Sequence, residues 1–152
     1  MSEQIYFEDV GEGDAIDDLV KRPTTQQLVQ WAAASGDFYQ IHYDKEYAIG
    51  TGLDGVIIHG ALKHAWLGDL LHRFAAPHGR VRRVACSYRG MDIPGEKFTL
   101  RGTVNKKYRE GDLNYVELEI WGENEAGQKT TPGSGLVTLP SRDGGDEPSR
   151  TT

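Results

Sequence analysis

Hydrophobic positions follow a helical period in the first half of the chain and alternate with polar positions in the second half. In the first half, Leu28, Trp31 and Ala32 share one face of a helix. Thr24 opens a capping-box pattern just before them, and Gly36 follows as a typical helix terminator. We therefore predict a first helix between Thr24 and Gly36.

A second, more apolar helix is predicted over residues 60–74. Most of its positions are hydrophobic, so it needs protein on nearly every side. Its polar stripe is thin and consists of Lys63, His64, Asp69, His72 and Arg73. Before it, residues 44–48 are predicted to form one helical turn capped by Asp44. The wholly apolar run at residues 56–58 is predicted to be a short buried strand.

Period-two alternation predicts four long antiparallel strands after residue 80, and residues 15–21 suggest a weak edge strand before them. The residues that share a face within each predicted strand are Val84, Cys86 and Tyr88, then Phe98, Leu100 and Val104, then Val116, Leu118 and Ile120, and last Gly133, Gly135, Val137 and Leu139. A sheet with one buried face must cover that face, and the apolar helix is the candidate. The predicted fold class is α+β: one domain over residues 1–140, with a curved antiparallel sheet wrapped around a central helix. The polar residues 141–152 are predicted to be a disordered tail.

Composition narrows the possible functions. The net charge is −6 and no run of Lys or Arg occurs, which disfavours nucleic-acid binding. Cys86 is the only cysteine, so the sequence allows no internal disulfide and no cysteine-based zinc site. No apolar run approaches the ~20 residues of a membrane span, and the first residues lack the pattern of a signal peptide. We expect a cytoplasmic protein without membrane contact.

Candidate chemistry lies between the two helices. Asp37 and His42 stand five residues apart just after the first helix, where two titratable groups can share a proton site. Gly60 opens the second helix, where unpaired amides can receive developing negative charge. Considered alone, Asp37 is typical of a turn residue at a helix end, and His42 is typical of a partly buried histidine with its hydrogen bonds made. Considered together, their spacing favours a catalytic role. His59 reads first as structural, with substrate contact as the lesser alternative.

These residues resemble the signature of the MaoC-like hydratases of the hot-dog fold, the (R)-specific 2-enoyl-CoA hydratases and acyl dehydratases. Their pattern runs roughly Gly-Asp-x-Asn-Pro-x-His, then an acidic residue two positions on, and later an apolar strand ending in His-Gly. The matching positions are Gly36, Asp37, His42, Asp44, Tyr47, Ala48, Ile58, His59 and Gly60. In element order the resemblance spans about residues 5–140.

The chain departs from the family pattern at three places. The family's Asn falls on Tyr39 and its Pro on Gln40, and a Ser common on the central helix would fall near Gly68. In related enzymes that Asn helps to hold the reacting water. The larger Tyr39 is expected to reshape or shorten the acyl pocket.

The resemblance implies hydration of a trans-2-enoyl thioester to an (R)-3-hydroxyacyl thioester, or the reverse dehydration. It implies catalysis by Asp37 and His42, an oxyanion hole at Gly60, and substrate contacts at Tyr39, Ile58 and His59. Which member of the dyad is the base stays open, because coupled groups titrate as a pair. No metal and no separate cofactor are expected, since coenzyme A or an acyl carrier protein is part of the substrate.

Partners and rival functions also follow from the resemblance. We expect a homodimer or higher homo-oligomer, with substrate entering at the dimer interface. Arg82, Arg83 and Arg89 read as a solvated strand face or, less favoured, as contacts to coenzyme A phosphates or a carrier protein. The nearest rival enzyme is a hot-dog acyl-CoA thioesterase. The non-enzymatic rival is a partner-dependent subunit of a two-chain acyl dehydratase.

Overall fold

The computed structural model describes residues 3–143, which contain three α-helices and five β-strands. The helices are α1 (Thr25–Ser35), α2 (Lys45–Gly50) and α3 (Gly60–Ala75), and the strands are β1 (Leu19–Lys21), β2 (Arg80–Cys86), β3 (Phe98–Glu110), β4 (Leu113–Glu123) and β5 (Lys129–Thr138). Two single-turn 3-10 helices, Phe7–Asp9 and Gln40–His42, complete the regular structure. None of the helices in this range is long and apolar enough to span a membrane.

The strands form one antiparallel sheet in the order β1-β3-β4-β5-β2. One face of this sheet is lined by side chains that are almost fully buried: Leu100, Val104, Val116, Leu118, Ile120 and Val137. Helix α3 packs on that face and contacts β2, β3, β4 and β5. The predicted α+β fold, a curved antiparallel sheet around a central apolar helix, is confirmed.

The helix ends follow the predicted capping residues. The Thr24 side chain accepts a hydrogen bond from the amide of Gln27, and Gly36 has a φ of 78° while its amide bonds Ala32 at the end of α1. Asp44 caps α2 through the amide of Tyr47 at 3.0 Å. The chain therefore leaves α1 at Gly36 and enters α2 at Asp44, as these capping residues predict.

Two predictions about this region are wrong. Residues 56–58 are not a strand, because the amides of Ile57 and Ile58 bond to two different partners, Ile41 and Asp92, rather than to one neighbouring strand. Lys63 does not belong to an exposed polar stripe. Its side chain is 2 % exposed and donates a 2.7 Å hydrogen bond to Asp92.

The start of the predicted tail contacts the first 3-10 helix. Ser141 donates a hydrogen bond to Glu8, and the Arg142 guanidinium bonds both carboxylate oxygens of Asp9 at 2.6 and 2.8 Å. The rest of the predicted tail, residues 144–152, lies outside the described residues.

Helix α3 approaches the sheet closely at β5. A Cβ on Gly135 would lie 2.5 Å from a terminal methyl of Leu71, well inside van der Waals contact. The sequence predicted that the small residues of the last strand admit a close neighbour, and the helix is that neighbour.

Replacing Gly135 with valine is expected to lower the free energy of unfolding by about 1–3 kcal/mol, because the added side chain collides with Leu71 in a packed core. Ser134→Val is the matched control, since Ser134 is exposed on the same strand. Urea unfolding followed by circular dichroism measures both variants. Equal midpoints for Gly135→Val and the wild type would contradict this packing.

Candidate active site

Asp37 is held in a fixed orientation just beyond α1. Its amide bonds the hydroxyl of Ser35, and its Oδ1 accepts a hydrogen bond from the amide of Tyr39 at 3.3 Å. This turn leaves the second oxygen, Oδ2, facing His42. The Asp37 side chain is 46 % exposed, so the carboxylate is open to a ligand from solvent.

His42 lies in the 3-10 helix Gln40–His42 and is buried, with 7 % of its surface exposed. Its Nδ1 lies 2.7 Å from the backbone oxygen of Ile57. A carbonyl oxygen only accepts, so Nδ1 carries the proton that it donates there. In the neutral ring Nε2 is then an acceptor, and this is the atom that faces Asp37.

The dyad has the geometry of a water site. Nε2 of His42 and Oδ2 of Asp37 are 4.0 Å apart, too far for a direct hydrogen bond. Two acceptors at this separation are each within hydrogen-bond reach of a single water placed between them. The predicted pair therefore comes together in the fold with both free acceptor atoms on the same side.

His59 stacks directly behind His42. The ring centroids are 3.8 Å apart with an interplanar angle of 19°, and the His59 side chain is fully buried. Its Nε2 lies 3.3 Å from the backbone oxygen of Asp37, which makes Nε2 the donor. Burial lowers the pKa of His59, and the neighbouring His42 lowers it further against the opposing hydrogen bond to Asp37. His59 therefore supports both members of the dyad in its neutral form.

Asp37, His42 and His59 also form a cluster of possible metal ligands, with one ligand atom from each lying within 4.8 Å of the others. Chelation requires nitrogen lone pairs that converge on one point. The lone pairs of the two stacked imidazoles instead lie in separate planes that are only 19° from parallel. The arrangement fits a dyad and its support better than a metal site.

Gly60 is the first residue of α3, and an amide at this position has no partner within the helix. Its glycine identity has a visible cause. A Cβ at residue 60 would lie 3.0 Å from two ring atoms of Tyr88, so any larger residue would push on that ring. The side chain that takes up this space is thus that of Tyr88.

The remaining predicted site residues surround this centre. Tyr39 is exposed, and its ring stands edge-on to His42 with centroids 6.3 Å apart and to Tyr47 with centroids 6.2 Å apart. Ile58 is buried, and its amide bonds the backbone oxygen of Asp92 at 2.8 Å. Tyr39 therefore borders the open side of the dyad, whereas Ile58 lies on the closed side.

A large cavity of about 790 Å³ lies elsewhere, between the N-terminal segment and the C-terminal half of α3. Leu70 and Phe74 line it, about 15 Å and about 21 Å along the helix axis from Gly60. None of the predicted site residues lines this cavity.

Comparison with known families shows which family this chain belongs to. The family model described as the MaoC like domain matches residues 12–120, which include Asp37, His42 and Gly60. The chain belongs to the MaoC-like family. Membership of this dehydratase family supports a hydratase or dehydratase role.

Other proteins show the same fold at low sequence identity. The (R)-hydratase of A. caviae involved in PHA biosynthesis matches with a TM-score of 0.80 and 22 % identity, over 88 % of this chain and 99 % of that one. A chain of the ChsH1-ChsH2 complex from Mycobacterium tuberculosis matches with a TM-score of 0.75 and 16 % identity, over 85 % of this chain and 98 % of that one. The hot-dog fold predicted for this MaoC-like chain is thus confirmed.

A curated relative shares sequence over a shorter stretch. Fatty acid synthase beta subunit TOXC of Cochliobolus carbonum is 36 % identical over 73 residues, or 47 % of this chain. The chain spans only 4 % of the length of that protein.

Sequence reasoning missed three contributors to this MaoC-like site. The Ile57 carbonyl sets the tautomer of His42, and Lys63 and Asp92 form a buried pair beside the start of α3. A lysine on a mostly apolar helix was a signal, because a buried lysine needs an acidic partner. Nothing in the spacing of the sequence identified Asp92 as that partner.

The pKa of His59 predicts a pH dependence of stability. The unfolded chain binds a proton at this histidine near its ordinary pKa of 6.5, whereas the folded protein resists doing so. The stability that depends on a neutral His59 is therefore fully present above pH 6.5. It is lost as the pH falls below 6.5, because the unfolded chain then binds a proton that the folded protein does not.

His59→Gln should accordingly show a smaller fall in urea midpoint than the wild type between about pH 7.5 and about pH 5.5. His72→Gln, which removes an exposed histidine of α3, is the control and should keep the wild-type pH dependence. An unchanged slope in His59→Gln would show that burial of this imidazole is not linked to folding.

Proposed function

We propose that this chain is an acyl-thioester hydratase or dehydratase, interconverting a trans-2-enoyl thioester and an (R)-3-hydroxyacyl thioester. The observation that carries the proposal is the facing pair of acceptors, His42 Nε2 and Asp37 Oδ2, separated by 4.0 Å at an open position. Membership of the MaoC-like family supports it. So do the names of the structural neighbours, which include an (R)-hydratase.

In the proposed reaction one water lies between the two acceptors and attacks C3 of the enoyl group. His42 accepts a proton from that water at Nε2, because its Nδ1 is committed to the Ile57 carbonyl. Asp37 orients the water through Oδ2 and keeps its charge. His42 then returns the same proton from Nε2 to C2 on the same face, so the OH and H of one water molecule are added across the C2–C3 bond.

The thioester oxygen takes on negative charge when C3 is attacked. The Gly60 amide at the start of α3 is the proposed donor to this oxygen, with the positive end of the helix dipole behind it. The dyad and the proposed oxyanion donor are thus close together, because Gly60 directly follows His59, which stacks on His42.

Tyr39 is proposed to contact substrate, since it is exposed beside His42. The contacts predicted for Ile58 and His59 stay predictions, and the burial of both side chains favours a supporting role. Coenzyme A or a carrier protein is proposed as the thioester carrier, with no metal and no separate cofactor. A cytoplasmic location is proposed with this chemistry.

A homodimer is the proposed assembly, with the substrate entering where the two copies meet. Within the described sheet, β2 is paired on one side only, to β5, and so presents an unpaired edge. A free edge of this kind favours pairing with a second chain.

The two-chain alternative keeps one specific support. A structural neighbour belongs to a complex of two different chains, ChsH1 and ChsH2. In that alternative this chain needs a different partner for activity. A thioesterase, the second alternative, would use the same acyl thioesters but release a free thiol.

Asp37→Asn and His42→Ala should each lower kcat by about 100- to 10,000-fold, because each removes one acceptor from the attacking water. The loss of the enoyl-thioester absorbance of crotonyl-CoA measures hydration. Asp54→Asn and His78→Ala are matched controls at exposed loop positions and should retain wild-type rates.

Failure of the wild type to hydrate crotonyl, longer and branched enoyl-CoAs would overturn the proposal for a self-sufficient enoyl-CoA hydratase. Release of free coenzyme A, detected with a thiol-reactive dye, would instead indicate a thioesterase. Hydration that appears only after a second, different chain is added would support the two-chain alternative.

The purified protein should sediment at about twice the chain mass of 16.9 kDa, because the free edge of β2 is expected to pair with a second copy. Sedimentation velocity over a range of protein concentrations measures this mass. A single-chain mass at every concentration would contradict the homodimer.

A further inference from the structure

The loop between β2 and β3 is fastened to the start of α3 by a buried ion pair. Lys63, in the first turn of α3, donates to Asp92 Oδ2 at 2.7 Å and to the backbone oxygen of Gly90 at 3.0 Å. The Lys63 and Asp92 side chains are 2 % and 3 % exposed. A buried ion pair adds little net stability compared with apolar packing, so its geometry is the feature to explain.

Further bonds hold the same loop in place. Thr130 of β5 donates from its hydroxyl to the same Asp92 oxygen at 2.8 Å, and its backbone oxygen accepts the amide of Arg89 at 2.8 Å. The backbone oxygen of Asp92 also accepts the amide of Ile58. The loop is therefore bonded to the chain on both sides of Gly60, at Ile58 before it and at Lys63 after it.

These bonds hold Tyr88, a residue of the same loop, against Gly60. Its ring atoms lie 3.0 Å from the position that a Cβ on Gly60 would occupy. The Tyr88 side chain is nonetheless 53 % exposed, so one face of the ring packs on the helix start and much of the rest is open. Burial raises the pKa of the Tyr88 hydroxyl, and the nearby Cys86 thiol raises it further, so this hydroxyl is neutral at physiological pH.

We propose that Tyr88 is a substrate-contacting residue whose ring forms the outer wall of the thioester site at the Gly60 amide, and that Lys63 and Asp92 position it there. This inference rests on the proposed hydratase function. Its physical basis is that an amide stabilises a developing oxyanion best where water is kept away from it. The Tyr88 ring lies against the Cβ side of Gly60, and in this proposal it keeps water from that side of the residue whose amide binds the oxyanion.

The first test replaces Tyr88 in the full-length protein. Tyr88→Ala should lower kcat for crotonyl-CoA by about 10- to 100-fold with a smaller change in KM, because the loss is felt where charge develops. Tyr88→Phe keeps the ring and should stay within about threefold of the wild type. Ser87→Ala, an exposed neighbour, is the control. A wild-type kcat in Tyr88→Ala would overturn the proposal.

The second test asks whether the ion pair acts through Tyr88. Asp92→Asn should lower kcat in the wild-type background but change it little in the Tyr88→Ala background, because residues that work as one unit are not additive. Thr130→Val is the milder variant should Asp92→Asn not fold, since it removes a single hydrogen bond from Asp92. Equal losses in both backgrounds would overturn the positioning role.

A binding measurement separates this inference from the proposed function. The saturated thioester butyryl-CoA should shift the NMR resonance of the Gly60 amide in the wild type and shift it less in Tyr88→Ala. Such shifts without hydration of any enoyl thioester would overturn the function and keep the Tyr88 contact. Hydration with identical shifts in the two proteins would keep the function and overturn the contact, and neither hydration nor shifts would overturn both.

Discussion

The burial of α3 against the sheet is the constraint on which the rest of the structure depends. Leu67, Leu70 and Leu71 are almost fully buried, and the inward side chains of the long strands cover them. A helix of this composition has no stable position outside the sheet. Its N-terminus is therefore fixed in space, and that end carries Gly60 and, just before it, His59.

Around that fixed point the site is assembled largely through backbone carbonyls. The carbonyl of Ile57 accepts a hydrogen bond from His42, and the carbonyl of Asp37 accepts one from His59. The carbonyl of Asp92 accepts the amide of Ile58. The segments that contribute these carbonyls lack regular strand pairing, so their polar groups are available to side chains. Irregular backbone here is thus the means by which the dyad and its support are oriented, and the proposed chemistry depends on that orientation.

Patterns among neighbouring residues predicted much of this arrangement, but they could not predict contacts between residues that are far apart in the sequence. Capping residues and period predicted α1, α3, the long strands and the position of Asp37, because each depends on neighbours a few residues away. Residues 56–58 were misread because an apolar run does not reveal whether it has one partner or two. The burial of Lys63 depends on Asp92, 29 residues further along the chain, and sequence spacing carries no information on that contact. The tautomer of His42 likewise depends on a carbonyl 15 residues away.

The contact of Leu71 with Gly135 bears on how such a protein could be re-engineered. On the β5 side of α3, Leu71 packs directly on the backbone of Gly135. Because glycine has no side chain, no substitution on the strand at this position can create more space. Space beside α3 would have to be enlarged from the other sides of the helix, where large side chains such as Trp66 can be exchanged for smaller ones. Trimming Leu71 itself would instead open a void in the packed core, at a cost to stability of about 2–5 kcal/mol.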